Sequence, residues 1–503
     1  MKKNILPLIL LLIVATSCSD WLDVRGRNIQ KEQDQFSNYK GFRDALTGCY
    51  MTMGSTDIYG QRLTMTDIEN MADLWYTSKT YENDFPLNYY LSNHQYDADD
   101  ARASIKAIYA KLFTTISSAN VILKNIKEKG QNITDSKARA VIEGEAYAIR
   151  AYCQLDVLRL FGQLPNGGSK TVSLPYSEVT SIDNMPAYYS YNDYVAKLKA
   201  DIESSENLLK DNDPIFSSTF TELNSPDNHV QDDYMYYRQS RLNYWAVRSL
   251  HARMDLYIGN NTEAHDIALD IINAKGSDGN SLISLSGVSD LPKGYNGLPS
   301  ECLFYLSKYN ILDYANNLLI GGTTAQARDG MYFISSDMLT DLYSSIPGAT
   351  ASHNRYLYEW NRQTKNPSGS ICPALKKYWY DSNKENANNL STMYQIIPMI
   401  RLSEMYLIAI ETSTSLPEAQ SLYDTYMKSC TYTLYQPFTS LDDVKTEVKN
   451  EYRREFFGEG QMFFTYKRLA SKSMLWNNNE ITEDNYILPL PSSEYDPSNS
   501  TKK

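Results

Sequence analysis

The sequence lacks a second long apolar run and any surplus of basic charge. After an apolar stretch at residues 5–14, no segment approaches the roughly 20 apolar residues of a membrane-spanning helix, so we expect a soluble body. Lys and Arg number 48 against 60 Asp and Glu, and no basic stripe is present. This charge pattern excludes a nucleic-acid-binding footprint and argues against polyanion binding.

Catalytic and metal-binding motifs are missing as well. The five histidines are scattered without metal-ligand spacing, and the motifs HExxH, GxSxG and GxxxxGK[ST] do not occur. The six cysteines show no CxxC spacing, which argues against a zinc site or a disulfide framework. Acidic clusters at 97–100 and 232–233 lack the calcium-loop pattern, and we interpret them as solvated loops. The sequence therefore predicts no catalytic residue, no metal and no cofactor.

Tyrosine is the residue type in excess, with 41 Tyr against 14 Phe and 6 Trp. A tyrosine ring presents a flat apolar face together with a hydroxyl group, which suits both wet interfaces and stacking on a ligand. This composition favours a binding function without naming the ligand.

The N-terminal residues resemble a bacterial lipoprotein signal. Lys2 and Lys3 precede the apolar residues 5–14, which have the length of a signal-peptide core. Small residues at 15–17 come directly before Cys18 and resemble a lipobox. The resemblance implies cleavage before Cys18, with a diacylglycerol on its thiol and an acyl group on its new amine. The alternative is an ordinary secretory signal with an incidental cysteine.

The residues after Cys18 bear on where the lipid would hold the protein. Residues 19–23 (SDWLD) resemble the acidic tract that sends Bacteroidetes lipoproteins to the cell surface, although they also fit a plain acidic tether. Each buried CH₂ contributes about 0.8 kcal/mol, so several acyl chains together anchor a large body firmly. We expect residues 1–17 to be a signal peptide, residues 18–35 to be a lipidated tether, and the rest to face outwards on the outer membrane.

Apolar spacing predicts three helical hairpins, over 102–161, 241–272 and 398–430. The first turns at 130–132. The second turns at Gly259 and resembles the small-residue pattern of a tetratricopeptide hairpin.

Long loop segments separate the helical segments, and they are rich in Asn, Ser, Asp, Gly, Pro and Tyr. They cover 163–190, 211–235, 275–330 and 345–395. Loops of this length inside a compact protein are usually functional or mobile. Short strands fit 301–306 and 393–400. We expect a mainly α fold in one continuous body, with a helical scaffold, minor β structure and a binding site built by loops.

The segment 449–469 reads KNEYRREFFGEGQMFFTYKRL. It closely resembles the C-terminal signature of the SusD/RagB family, of the form ERRxEFxGEGxRxxDLxR. Met462 stands where that family often has Arg, and Thr465 where it often has Asp. From the residues themselves we interpret the segment as a structural lock of aromatic rings and ion pairs. The expected pairs join Arg453, Arg454 and Arg468 to Glu451, Glu455 and Glu459.

Other stretches resemble the same family. Residues 393–411 are similar to its IPxIRLAExYLxxAE helix, residues 104–123 to its YxxIxxANxxL helix, and residues 486–491 to its closing LPIP segment. The resemblance implies a SusD-like fold with tetratricopeptide-like hairpins on one side and irregular ligand-facing loops on the other. It divides the body into an N-terminal region at 36–235 and a C-terminal region at 236–503.

The resemblance also implies a function. Family members capture glycans, and RagB-like relatives capture peptides, for a SusC-type TonB-dependent barrel over which the lipoprotein sits as a lid. The segment 75–96 falls where relatives place part of their ligand platform. We predict ligand contacts at Trp75, Tyr76, Tyr81, Tyr89 and Tyr90, with Tyr358 and Trp360 from a later loop. The alternatives are a structural surface scaffold and a surface glycoside hydrolase with paired carboxylates.

Overall fold

The computed structural model describes residues 32–76, 85–181, 184–226, 230–320, 332–365, 370–431 and 435–495. Of the sequence predictions, the signal peptide, Cys18, most of the tether and Tyr81 lie outside these residues. Of the described residues, 57% are helical and 6% are in strands, so the mainly α prediction is confirmed.

Twelve helices in the described ranges are seven or more residues long. They are α1 (Tyr39–Met53), α2 (Pro86–Ser92), α3 (Asp99–Lys129), α4 (Ser136–Phe161), α5 (Tyr191–Leu209), α6 (Tyr244–Ile258), α7 (Asn261–Ile272), α8 (Ser336–Leu342), α9 (Leu402–Thr412), α10 (Leu416–Ser429), α11 (Leu441–Glu455) and α12 (Met462–Arg468). Shorter helices occupy Glu32–Gln35, Asp67–Met71, Phe220–Leu223, Gly287–Asp290, Ile311–Tyr314, Ala349–Ser352, Asn354–Tyr358, Leu390–Met393 and Glu483–Tyr486.

The scaffold is a row of helices in which each packs on the next. The order is α3, α4, α5, α6, α7, α9 and α10, with α1 against α3 and α11 against α9. The largest hydrophobic cluster of the described residues runs through this row, from Phe36 to Leu488. Nearly every residue of α4 from Val141 onwards is buried. Helices α3 and α5 cover it from both sides.

Local signals explain where the hairpins turn. Asp135 caps α4 by accepting hydrogen bonds from the backbone N–H groups of Lys137 and Ala138, after the predicted turn at 130–132. Gly259 ends α6 with φ of 85°, a left-handed conformation that glycine adopts without strain. Both predicted turns are therefore confirmed.

Short strands pair in three antiparallel couples. They are β1 (Leu174–Pro175) with β2 (Tyr188–Tyr189), β3 (Cys302–Ser307) with β6 (Ile396–Arg401), and β4 (Trp360–Asn361) with β5 (Ala374–Leu375). The strands expected at 301–306 and 393–400 are thus confirmed as β3 and β6. The helix expected from residue 398 begins only at Leu402, because residues 396–401 pair with β3 instead.

Buried charges tie neighbouring helices together. Arg150 of α4 donates two hydrogen bonds of 2.6 Å to Asp201 of α5. Arg253 of α6 donates two of 2.7 Å to Glu404 of α9. Pairs of this kind add less stability than their Coulomb energy suggests, but losing one partner leaves an uncompensated buried charge. We infer that they fix the register of the helix row.

The C-terminal segment 449–469 forms a lock of aromatic rings and buried ion pairs, but several of the ion pairs differ from those expected. Of the expected pairs, Arg454–Glu451 is present at 2.8 Å. Glu455 instead pairs with Arg355 and Arg401, which lie far away in sequence.

The other two arginines of the segment point elsewhere. Arg453 donates to Tyr466 Oη at 3.0 Å, and Arg468 forks onto Glu411 of α9. The pairing prediction was therefore wrong for these residues, because tertiary contacts supply better-placed partners than neighbours on the same segment.

Candidate functional site

A cleft of about 400 Å³ opens at the N-terminal end of α3, and its lining comes from four separate parts of the chain. The lining residues are Arg62, Phe85, Pro86, Leu87, Asn88, Asp100, Ala103, Ser104 and Tyr332. Asp100 and Ala103 form an exposed rim, whereas Asn88, Ser104 and Tyr332 are buried at the base. A cleft of this volume falls in the range of small-ligand pockets, roughly 300–1,000 Å³.

The turn-rich segment 54–66 supports the Arg62 side of the cleft. Gly60 is required there, because a Cβ at this position would lie 2.2 Å from the backbone oxygen of Gly54. The short helix Asp67–Met71 follows and carries Asp67 and Glu69 into the interior.

The signature segment packs directly on this support. Gly460 has φ of 74°, and a Cβ there would lie 2.1 Å from the backbone oxygen of Leu63. The N–H group of Gly460 donates to Glu69 Oε1 at 2.7 Å. Burial raises the pKa of the Glu69 carboxyl to about 8. Gly460 of the signature therefore packs against the segment that carries Arg62.

The floor of the cleft is polar. Arg62 Nη1 lies 3.9 Å from Asp67 Oδ2, and Arg62 Nε lies 3.7 Å from Asp57 Oδ1, so these contacts are looser than hydrogen bonds. Nη1 has no hydrogen-bond partner among the described residues. Asp67 accepts hydrogen bonds from Ser104 and Thr66, and burial raises its pKa. The guanidinium of Arg62 thus keeps hydrogen-bonding capacity that the described residues do not use.

One wall is aromatic and held from behind. Tyr332 donates to Asn88 Oδ1 at 2.9 Å, and Asn70 donates to the same oxygen at 3.1 Å. Trp75 packs edge-on against Tyr332 with a centroid distance of 5.7 Å, and its indole N–H donates to the backbone oxygen of Met65 at 3.0 Å. Phe85 adds a second, half-buried ring. Aromatic faces beside amide and guanidinium groups suit ligands with apolar rings and many hydroxyls.

The predicted contact residues fall in three groups. Trp75 and Trp360 are core residues, each packed on Phe457 at about 5 Å, so neither ring presents a face at the surface. Trp75 acts behind the cleft, by supporting Tyr332. Tyr81 lies outside the described residues.

The remaining predicted tyrosines are accessible. Tyr89 and Tyr90 are half-buried on α2, directly after the lining residue Asn88. Tyr76 is half-buried against Phe333, next to Tyr332. Tyr358 is 38% exposed but does not line the cleft.

The cleft residues that sequence reasoning missed are Arg62, Asp100, Ser104 and Tyr332. Phe85 and Asn88 belong to the predicted segment 75–96, although neither was singled out. Arg62 and Tyr332 carried no local signal, because only the fold brings them beside α2.

A second acidic site is enclosed in the lock and has no access to the cleft. Arg401 donates to Glu301 at 2.6 Å and to Glu459 at 2.7 Å, and it also binds Glu455. Burial acts to raise the pKa of Glu455, but Arg355 and Arg401 outweigh it and hold this pKa below its usual range. These groups are structural.

The described residues include no cluster of three or more His, Cys, Asp or Glu side chains that could hold a metal ion. The cysteines within those ranges are buried thiols: Cys49, Cys153, Cys302, Cys372 and Cys430. No helix in the described ranges is both long and apolar enough to cross a membrane.

Comparison with protein families gives two matches, one towards each end of the chain. Residues 20–223 match a SusD-like family described as starch-binding and associating with the outer membrane. Residues 340–503 match the SusD family. No curated protein sequence matches this chain.

Solved structures share the fold over nearly the whole chain. A SusD superfamily protein from Bacteroides thetaiotaomicron is 19% identical with a TM-score of 0.67, over 93% of this chain and 99% of that one. A laminarin-binding SusD-like protein is 14% identical with a TM-score of 0.64, over 91% and 97%. Surface glycan-binding protein A from Bacteroides thetaiotaomicron, in complex with laminarihexaose, is 15% identical with a TM-score of 0.64, over 92% and 98%.

Proposed function

This chain belongs to the SusD/RagB family, and we propose that it captures a neutral oligosaccharide at the cleft beside α2 and α3. The combination of groups that line the cleft is the observation that supports this proposal. The cleft combines the Arg62 guanidinium, the Asn88 amide and the rings of Phe85 and Tyr332 within about 400 Å³. Sugars need both kinds of contact, because their ring C–H faces stack on aromatics while their hydroxyls take hydrogen bonds.

Two observations favour a glycan over a peptide. The matching N-terminal family is described as starch-binding, and two of the similar structures are named for laminarin or laminarihexaose. Starch and laminarin are uncharged glucans, so a neutral glucan is the first ligand to test. Charged groups at the cleft do not conflict with this choice, because guanidinium and carboxylate groups make strong hydrogen bonds to neutral hydroxyls.

We further propose that Cys18 is acylated, that the body faces outwards on the outer membrane, and that it passes its cargo to a SusC-type TonB-dependent barrel. The lipobox resemblance and the outer-membrane description of the matching family support this arrangement. Affinity purification of the tagged protein from native membranes should recover a large barrel protein. Recovery of the lipoprotein alone would contradict the partner proposal.

The experiment for the cleft is calorimetric titration with laminarihexaose, maltohexaose and an uncharged hexapeptide. We expect Arg62→Ala to weaken glycan binding about tenfold, which corresponds to about 1.4 kcal/mol. The matched control is Arg248→Ala on α6, an arginine that pairs with Glu206 and Asp270 away from the cleft. This control should bind as the parent protein does.

Three results would contradict the proposal. Equal glycan affinities of the Arg62 and Arg248 variants would show that the cleft does not recognise the glycan. Binding of the peptide without either glycan would favour the peptide alternative. Recovery of shortened glycan after incubation would favour a hydrolase, whereas ligand recovered intact supports capture.

A further inference from the structure

A second pocket of about 400 Å³ lies on a different part of the body and shares no lining residue with the cleft. Its walls come from the short helix Phe220–Leu223 and the residues after it, from 282–283, from 299–300 and from 389–393. Phe220 and Met393 contribute apolar surface, and Gln239 lies buried at the base. The pocket is therefore a built cavity with both apolar and polar sides.

None of the residues that line this pocket carries a charge. The polar side chains are the amides of Asn224, Gln239 and Asn389 and four hydroxyl groups. The cleft beside α2, in contrast, has Arg62 and Asp100 in its lining. Bringing a charged group into an uncharged pocket is costly, because nothing compensates for its lost hydration. The lining thus selects a neutral, hydrogen-bonding ligand.

A chain of hydrogen bonds fixes the amides at the base. Gln239 Nε2 donates to the backbone oxygen of Cys302 at 2.5 Å, and a carbonyl can only accept. The side-chain oxygen of Gln239 must therefore face Asn224, whose Nδ2 donates to it at 2.6 Å. This arrangement leaves Asn224 Oδ1 as an acceptor that has no donor among the described residues. Buried acceptors are usually satisfied, so this oxygen calls for an explanation.

Other polar groups of the lining are also uncommitted. Thr221, Ser225 and Asn389 make no side-chain hydrogen bond within the described part of the chain, and Thr221 and Ser225 are exposed at the mouth. Together they offer hydroxyl and amide groups that can both donate and accept. Phe220, only 7% exposed, and the half-buried Met393 provide apolar surface for a ring.

We propose that this pocket is a second saccharide site, which takes a neutral hexose unit with its C–H face on the apolar wall and its hydroxyls on the amides. The choice of a sugar rests on the proposed function, whereas the neutrality of the ligand rests on the lining. Two sites on one body would hold a long glucan at two points, and this raises the effective concentration of each site for the other.

A local probe separates this site from the cleft. Met393 lines the pocket, so a ¹³C-methyl methionine spectrum of the whole chain reports on it, with Met393→Leu used for assignment. We expect glucose and laminarihexaose to shift the Met393 signal saturably. Glucuronate, a charged analogue, should bind at least tenfold more weakly.

Three variants complete the test. Ser225→Trp, placed at the exposed mouth, should fill the pocket and abolish the Met393 shift, while Asn389→Ala should weaken binding about tenfold. Arg62→Ala should leave the glucose-induced shift unchanged, because a monosaccharide cannot bridge the two sites, so a failure of the cleft proposal would not be mistaken for a failure of this one. A Met393 signal that does not respond to neutral sugars, or that responds equally in Ser225→Trp, would overturn the proposal.

Discussion

Tyr332 donates a hydrogen bond of 2.9 Å to Asn88 Oδ1 and so joins two distant parts of the chain at the base of the cleft. Asn88 lies on α2, and Tyr332 lies between β3 and α8. Replacing Tyr332 with Phe keeps the ring and removes the donor. We expect a loss of about 1 kcal/mol in the free energy of unfolding, measured in urea, because one buried hydrogen bond is lost. Glycan affinity should fall as well, because this hydrogen bond positions Asn88 and Tyr332 at the cleft, and unchanged affinity would show that the hydrogen bond does not contribute to ligand binding.

The left-handed backbone at Gly460 supports the opposite wall. Gly460→Ala should destabilise the protein by more than about 1 kcal/mol, because the new Cβ meets the Leu63 carbonyl and the backbone is strained. Gly48→Ala is the matched control, since a Cβ at this position on α1 meets nothing within 4 Å. The control should be neutral or stabilising, as expected for alanine in a helix. Equal denaturation midpoints for the two variants would contradict this account.

Arg401 is the centre of the buried lock, with only 1% of its side chain exposed. Arg401→Leu should cost about 3–5 kcal/mol in chemical denaturation, because it leaves the carboxylates of Glu301, Glu455 and Glu459 without their shared cation. Arg102→Ala removes an exposed arginine paired with Asp99 and should change stability little. A small effect at Arg401 would mean that the carboxylates can take up protons without loss of stability.

Glu359 should make stability depend on pH around neutrality. Its carboxylate oxygens have no hydrogen-bond partner among the described residues, and burial raises its pKa from 4.5 to about 7 despite the nearby Lys377, Arg355 and Arg401. The folded state therefore holds a proton that the unfolded state releases. This stabilisation is complete below about pH 4.5 and is lost as the pH rises through 7.

The comparison that isolates this group is Glu359→Gln. The parent protein should lose free energy of unfolding between pH 5 and pH 8, by up to about 1.4 kcal/mol per pH unit for each such carboxyl. The variant should show a shallower slope over the same interval. Parallel slopes would assign the pH dependence to other groups, such as Glu69, whose pKa is raised to about 8.

Cys18→Ala tests the anchor. The variant should leave the membrane fraction as a folded protein that still binds glycan, because the proposed lipid would be attached at Cys18, outside the residues that line the cleft. Ser19→Ala should remain in the membrane fraction and take up radiolabelled palmitate, as the parent protein does. A Cys18 variant that stayed on the membrane would disprove the lipidation proposal.

The helical hairpins and the strands β3 and β6 could be predicted from sequence because their signals are local, although the pairing of the two strands was not predicted. Apolar spacing and the turn at Gly259 both act within a few residues. Helix α5 escaped prediction although Ser190 caps it, since its apolar residues are sparse among charged ones.

The cleft could be predicted only in outline. The segment 75–96 does supply Phe85 and Asn88, yet Arg62 and Tyr332 become neighbours only through tertiary packing. The sequence does not show whether the rings of Trp75 and Trp360 point into the core or towards the surface. The hydrogen bond from Trp75 to the Met65 carbonyl, which fixes its inward orientation, joins residues whose spacing carries no signal.

The structure shows that the excess of tyrosine also contributes to the protein interior. Many of these rings are interior, and their hydroxyls donate to buried carboxylates, as in Tyr50–Glu145, Tyr59–Asp156 and Tyr426–Glu455. Burial together with the adjacent carboxylate raises the pKa of each of these phenols well above its ordinary value. In alkaline solution such phenols stay neutral for as long as the interior is closed, so the ultraviolet absorbance of phenolate marks the opening of the body.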